Sequence, residues 1–320
     1  MSTIIASSLI DSNLAPIVGQ QVTLTGTNSA TVGARIDLLI ARAAAGECDL
    51  IVKGTVAGEQ RGAYRVASGV FQTDRAAQPP LTDATFRALA ATPGQELTYT
   101  CVPPGSGVRA GVDRDEDGFF DSDERDAGAD PGSALSQPIA CTTGGTVAKP
   151  VLKVSKNADP AGDESLSVSG QWQVATLAPA IDPIANGFNF KVVDPLGATI
   201  FDRRIPPGAP AAKGAPGWTL NSKGTQWTYK DTTGSATGGI TKVVVTNSTS
   251  KAPGLYKFSV AGKKANFQVG SGAVPVELFV VLGDSTLDSA GQCATVAFNS
   301  ASGPAPRCTF VGGNNVLSCR

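Results

Sequence analysis

Residues 146–320 contain a series of short strand-like segments separated by turn residues, and this pattern restricts the possible folds more than any other feature. The segments are rich in Val, Thr and Ser, and Gly, Pro, Asn and Asp separate them at intervals suited to a sandwich. The whole chain has 37 Gly and 21 Pro, which suits a loop-rich protein. We therefore predict a mainly β protein whose C-terminal part, 146–320, is a β-sandwich domain.

The first 112 residues show a different pattern, which predicts a small α+β domain. Arg35–Ala45 places its apolar residues at helical spacing, and a second helix is expected over Asp83–Ala91 with Thr82 as its N-cap. Alternating apolar and polar residues predict strands around these helices. The predicted strands are Gln21–Thr27, Cys48–Val52, Ala63–Val66, Val70–Thr73 and Glu96–Val102.

The chain has six cysteines and no histidine, and none of the cysteines form the closely spaced pairs of a thiolate zinc site. Such cysteines predict three disulfides and an oxidising compartment. Cys48 and Cys101 form one expected pair, because both lie on predicted strands of the first domain. Of Cys293, Cys308 and Cys319, two are expected to pair locally and the third to pair with Cys141; the spacing leaves open which one.

The charge of the chain is unevenly distributed. The formal net charge is −1, which argues against a nucleic-acid partner. Nine of the 27 acidic residues lie within 113–130, where Arg114 and Arg125 are the bases. Such a segment is either a flexible acidic stretch or one that cations neutralise, and its spacing favours the second.

The acidic residues of Asp113–Glu124 have a regular arrangement. Carboxylates occupy loop positions 1, 3, 5 and 9, glycine occupies position 6 and glutamate position 12. Ca²⁺ requires six to eight oxygen ligands, and this is the spacing of an EF-hand-type loop. We therefore expect a calcium-loop connector over 113–145 that joins the two domains.

The loop and the following Asp126–Pro131 resemble the thrombospondin type 3 calcium repeats of bacterial secreted and surface proteins, and dockerin loops are similar. The flanks depart from a paired EF-hand, since Gly105–Val112 has no helical period and no second loop follows. The resemblance implies a structural brace rather than a sensor. The ligands that it implies are Asp113, Asp115, Asp117, the Phe119 carbonyl, Asp121 and Glu124.

Two further kinds of function remain open alongside a structural role. The absence of histidine excludes Ser-His-Asp and Cys-His catalysis, but a carboxylate pair for glycoside hydrolysis needs none. Trp172, Trp218 and Trp227 could stack on sugar rings, as in carbohydrate-binding modules, if they were exposed. Otherwise they fill the core of the β domain.

These features together predict a non-catalytic, calcium-stabilised protein with a structural, adhesive or assembly role. Its expected location is extracellular or at the cell surface, with the periplasm as an alternative, and its expected partners are other protein subunits or cell-surface glycans. No apolar run is long enough for a transmembrane helix. Ile4–Ile10 is too short for a signal peptide and has no basic residues before it.

Overall fold

The computed structural model describes residues 15–158 and 160–320, and it divides the chain into two compact units, Met1–Asp126 and Ala127–Arg320. The segment Ile4–Ile10 lies outside the described residues. The division falls within 113–145, the stretch that we predicted as a connector. The acidic loop therefore belongs to the first unit.

The first unit is a five-stranded sheet with four helices in its described part. Its sheet has the strand order β1-β5-β2-β3-β4, and every neighbouring pair is antiparallel. The elements are β1 Gln21–Leu24, α1 Ser29–Ala44, β2 Asp49–Val56, β3 Glu59–Arg65, β4 Phe71–Thr73, α2 Asp83–Ala90, β5 Leu97–Val102, α3 Gly107–Gly111 and α4 Asp121–Asp126.

The two longer helices cover one face of this sheet. Ile36 and Leu39 of α1 and Phe86 of α2 join the core that Leu50 and Val52 of β2 also enter. Side chains alternate along a strand, so β2 sends its intervening residues to the other face. The core of the first unit thus lies on the α1 and α2 side, and the second face is left for other elements.

The short helix α3 covers the second face, where backbone meets backbone. A Cβ added to Gly62 of β3 would lie 2.1 Å from the carbonyl oxygen of Gly111, and one added to Gly111 would lie 3.2 Å from Cγ2 of Ile51. A side chain at Gly62 would overlap the backbone of α3, and one at Gly111 would make unusually tight contacts. Glycine at both positions therefore brings the end of α3, and the acidic loop that follows it, directly against the sheet.

One of the helix predictions made from the sequence agrees with the structure, and two do not. The predicted N-cap of α2 is confirmed, since the Thr85 N–H donates to Thr82 Oγ1 at 3.2 Å. Helix α1 begins at Ser29, six residues before the predicted start. Our expectation that no helix precedes the loop is wrong, because α3 forms there. Its start is held by Asp49 Oδ2, which accepts the N–H groups of Gly105 and Gly107 at 2.8 Å each.

The second unit consists of two packed sheets. The smaller has the order β10-β9-β15-β16-β6 and the larger the order β11-β12-β13-β14-β8-β7-β18-β17. Its elements are β6 Gly145–Thr146, β7 Ala148–Ser155, β8 Glu164–Gln173, α5 Pro183–Asn186, β9 Phe188–Val193, β10 Thr199–Ile205, β11 Gly217–Leu220, β12 Gln226–Lys230, β13 Ile240–Asn247, β14 Leu255–Ala265, β15 Val276–Val281, β16 Cys293–Phe298, β17 Cys308–Val311 and β18 Val316–Cys319, with 3₁₀ turns at Ser235–Thr237, Ser271–Ala273 and Ser285–Leu287.

One hydrophobic core fills the space between these sheets. Phe188 of β9 and Phe258 of β14 belong to different sheets, and their ring centroids lie 6.1 Å apart. Buried side chains of both sheets form a single cluster around them. The predicted β-sandwich is therefore confirmed, as is the mainly β character of the chain.

All six cysteines are paired, and each pair lies within one unit. Cys48–Cys101 joins the start of β2 to β5, as predicted. Cys308 and Cys319 form the local pair, and Cys293 pairs with Cys141, which resolves the alternatives that the spacing left open. Three disulfides fit a protein of an oxidising compartment. Among the described residues, no helix is long and apolar enough to cross a membrane.

Candidate metal centre

The acidic loop of the first unit is closed at its base by backbone hydrogen bonds. The Asp121 N–H donates to the carbonyl of Val112 at 2.8 Å, and the Arg114 N–H donates to Asp121 Oδ1 at 2.8 Å. These two bonds join the end of α3 to the start of α4. The residues between them form a tight loop.

Three aspartates inside the loop share their oxygens with the loop backbone. Asp113 Oδ2 accepts from the Gly118 N–H at 3.1 Å, and Asp117 Oδ1 accepts from the Phe119 N–H at 2.9 Å. Asp115 Oδ1 accepts from the Asp117 N–H at 3.3 Å. Gly118 has φ +96°, a conformation that strongly favours glycine. The turn at position 6 therefore folds the carboxylates of positions 1, 3 and 5 toward one another.

The result is a compact group of carboxylate oxygens. One oxygen from each of Asp113, Asp115 and Asp117 lies within 4.8 Å of the others. Four buried oxygens at this place have no hydrogen-bond partner among the described residues: Asp113 Oδ1, Asp115 Oδ2 and both oxygens of Glu124. Glu124 itself is 0% exposed. Buried carboxylate oxygens need a partner, so this group fits a hard cation.

The electrostatics of the group agree with its geometry. Burial, reinforced by the negative charges of Asp115, Asp117, Asp121 and Asp113, raises the pKa of Glu124 to about 9. Burial and the neighbouring Asp117 also raise the pKa of Asp115 to about 6, against hydrogen bonds that lower it. A divalent cation would favour the ionised form of both groups.

The structure gives Asp121, the predicted ligand at position 9, partners of its own. Its Oδ1 accepts from the Arg114 N–H, and its Oδ2 lies 3.7 Å from Nζ of Lys53 on β2. Burial lowers the pKa of Lys53, while Asp121 and Asp74 act in the opposite direction. Asp121 thus closes the loop and ties it to the sheet, a role that the ligand pattern did not reveal.

The helix after the loop is anchored to the segment that follows β4. The Ser122 N–H donates to the Asp74 carbonyl at 3.0 Å, and Asp123 Oδ2 accepts from the Ala76 N–H at 2.8 Å. Arg75 pairs with both oxygens of Asp126 at 2.8 Å. These contacts place Glu124 within a fixed helix rather than on a free chain.

The three tryptophans do not form a sugar-binding surface. Trp172, Trp218 and Trp227 are 2%, 0% and 7% exposed. Trp172 packs edge-on against Phe258, with ring centroids 5.7 Å apart, and the Trp218 indole N–H donates to the Pro206 carbonyl at 2.9 Å. Their rings fill the core of the second unit, so the suggestion of exposed ligand aromatics is wrong for all three.

A pair of carboxylates in the second unit has structural partners. Asp130 and Asp202 line an open pocket of about 350 Å³. Burial raises the pKa of Asp202, which accepts a short hydrogen bond from the Ser136 hydroxyl. Asp130 Oδ1 accepts from the Gly132 N–H at 3.0 Å. Both aspartates therefore hold the 130–136 segment in place.

The acidic loop is the group in the described part of the chain whose geometry and charge fit a metal ion. Comparison with protein-family models, curated proteins and solved structures finds no match to this chain.

Proposed function

We propose that Asp113–Glu124 binds one Ca²⁺, and that the ion braces the first unit of a non-catalytic extracellular protein with a structural or assembly role. The observation that carries this proposal is Glu124. It is fully buried at position 12 of the loop, and neither of its oxygens has a hydrogen-bond partner among the described residues. A glutamate at this position can bind Ca²⁺ through both oxygens.

Asp113, Asp115 and Asp117 would supply the other side-chain ligands, and Phe119 at position 7 would supply its carbonyl. When bound, the ion supplies two positive charges that offset the mutual repulsion of these carboxylates. Asp121 acts beside them, since its contacts with Arg114 and Lys53 hold the loop closed. The number and flexibility of the oxygen ligands favour Ca²⁺ over Mg²⁺.

The bracing role follows from where the ligands lie. Asp113 follows α3, which rests on the sheet through Gly111, and Glu124 lies in α4, which is anchored at Asp74 and Ala76. An ion held by both ends of the loop would fasten the two helices to each other. The three disulfides support an oxidising location, where millimolar calcium is common outside cells. Other protein subunits or surface glycans are the proposed partners.

The substitution Glu124→Gln tests the proposal, because it removes the charge and keeps the size of the side chain. In about 1 mM Ca²⁺, a site with Kd of about 0.1–1 mM stabilises the native protein by roughly 0.4–1.4 kcal/mol. We expect Glu124→Gln to lose this increment and to match or exceed the wild type in stability without calcium. Thermal unfolding with calcium and with chelator, under non-reducing conditions, measures both effects.

Glu116→Gln is the matched control, since it makes the same change at an exposed position of the same loop. This variant should keep the full calcium response. An equal calcium response in wild type and Glu124→Gln would contradict the assignment of the loop as the site.

A further inference from the structure

A basic pocket lies on the side of the acidic loop that faces the sheet. Its volume is about 450 Å³, and five cationic side chains and two carboxylates line it, which leaves a formal charge of +3. The first unit has ten basic residues against sixteen acidic ones, so half of its bases meet at this one place. The cationic residues are Lys53, Arg61, Arg109, Arg114 and Arg125.

The two carboxylates of the pocket are fully occupied. Asp74 is 1% exposed; its Oδ1 accepts from Arg61 Nε at 2.7 Å, and its Oδ2 accepts from the Gly62 N–H at 2.8 Å and from Arg125 at 3.1 Å. Asp121 Oδ1 accepts from the Arg114 N–H, and Asp121 Oδ2 forms a long ion pair with Lys53. Neither carboxylate pairs with Arg109.

Two of the cationic side chains have N–H groups that no acceptor among the described residues binds. Arg109 of α3 is exposed and makes no hydrogen bond or ion pair within the described residues. Lys53 Nζ is 3.7 Å from Asp121 Oδ2, beyond hydrogen-bonding distance, and its side chain is 41% exposed. These groups come from different elements, α3 and β2, and they line the same pocket.

We propose that this pocket binds an oxyanion group, a sulfate or a phosphate, with Arg109 and Lys53 as its direct donors. Arg61 and Arg125, already oriented by Asp74, add positive charge at the wall. Guanidinium and ammonium groups converging on a concave site are the usual recognition chemistry for such anions. The volume accommodates an anion that is carried on a larger polar molecule, such as a sulfated sugar.

Calcium should strengthen this binding, a point that rests on the proposed function. Arg114 and Arg125 flank the ligand positions of the loop, so an ion in the loop would hold both at the pocket. It would also offset the negative charge of the neighbouring aspartates and glutamate. By linkage, the anion would raise the calcium affinity by the same factor.

The experiment is calorimetric titration with sodium sulfate, glucose 6-sulfate and glucose, at low ionic strength because screening weakens such binding. Each titration uses calcium-saturated protein and protein stripped of calcium by chelation and gel filtration. Sulfate should bind and glucose should not. Glucose 6-sulfate binding more tightly than sulfate would identify a sugar-borne anion, and equal or weaker binding would identify the free ion.

Arg109→Gln should weaken sulfate binding by about tenfold or more, since it removes a charge-assisted hydrogen bond. It should leave stability unchanged, because Arg109 has no described partner. Arg42→Gln, the same change on an exposed part of α1, should leave the affinity unchanged. If sulfate does not bind, or if wild type and Arg109→Gln bind it with equal affinity, the proposal of an anion site in this pocket is overturned. Equal affinity with and without calcium would overturn only the coupling.

Discussion

The folded chain places the Glu124 side chain where a negative charge is strongly disfavoured. Burial and the negative charges of four neighbouring aspartates raise its pKa to about 9, so the calcium-free protein retains a proton there that the unfolded chain loses near pH 4.5. Calcium at the proposed site would reverse this preference, because a metal ligand must be deprotonated. The protonation of Glu124 and the binding of calcium would therefore be mutually exclusive.

The stability of the calcium-free protein should accordingly fall as pH rises from 4.5 toward 9. In this window the folded state binds more protons than the unfolded state, so the free energy of unfolding decreases with pH. Asp115, with a pKa raised to about 6, adds to the fall at the acidic end. Urea unfolding across this range, in the presence of chelator, measures the slope.

Calcium should remove this fall, because the bound ligands would be ionised in the folded state as they are in the unfolded state above about pH 4.5, and Glu124→Gln should flatten the slope in chelator. A slope in chelator that Glu124→Gln leaves unchanged would show that another group carries the pH dependence. The same series in saturating calcium should show little change in stability from these carboxylates between pH 4.5 and 9.

Spacing alone predicted the residues of the candidate site, but not the role of each. The positions of Asp113, Asp115, Asp117 and Glu124 follow a local pattern, because a tight loop turns alternate side chains inward. Asp121 fits the same pattern, yet its partner Lys53 lies far earlier in the chain. A contact between distant segments leaves no trace in the spacing of either one.

At the scale of elements, the contact of α3 with the sheet depends on two glycines. Short helix α3 has low intrinsic stability, and its sequence shows no helical period. It forms because Asp49 holds its first turn and because Gly62 and Gly111 allow backbone contact. For the same reason the sequence could not predict it. Helix α1 likewise extends back to Ser29 through β-branched residues and Gly33. These residues have low helix propensity, so the sequence did not predict this extension.

Gly62→Ala should destabilise the first unit by about 1–3 kcal/mol, the usual range for a residue that overfills a packed site. Its Cβ would meet the Gly111 carbonyl at 2.1 Å, and the displacement of α3 should also weaken calcium binding. Chemical unfolding and calcium titration of the variant measure the two effects.

Gly33→Ala is the matched control within the same unit. A Cβ there meets nothing nearer than the flexible Arg87 guanidinium at 3.6 Å, so alanine should stabilise α1 by about 0.5–1 kcal/mol. Similar effects of the two substitutions would argue against the close approach of α3 to β3.

For the whole molecule, the two units carry different spectroscopic reporters. All three tryptophans, Trp172, Trp218 and Trp227, lie in the second unit, whereas the longer helices α1 and α2 lie in the first. Tryptophan fluorescence therefore reports the β-sandwich, and the helical signal in far-ultraviolet circular dichroism reports the first unit.

We expect calcium to raise the unfolding temperature measured by the helical signal and to leave that measured by tryptophan fluorescence nearly unchanged. The reason is that every predicted ligand lies in the first unit. Parallel scans with both probes, with and without calcium, test this expectation. Equal shifts in both probes would show that the two units unfold as one.

The pairing of the cysteines also determines what a protease would release. Each of the three disulfides closes a loop inside one unit, and all six cysteines are used. A single cut between Cys101 and Cys141 therefore leaves no covalent link between the N-terminal and C-terminal fragments, even without reductant. A single cut between Cys48 and Cys101, or between Cys141 and Cys293, leaves its fragments cross-linked. The covalent link between the two units therefore rests on the one stretch that contains the acidic loop.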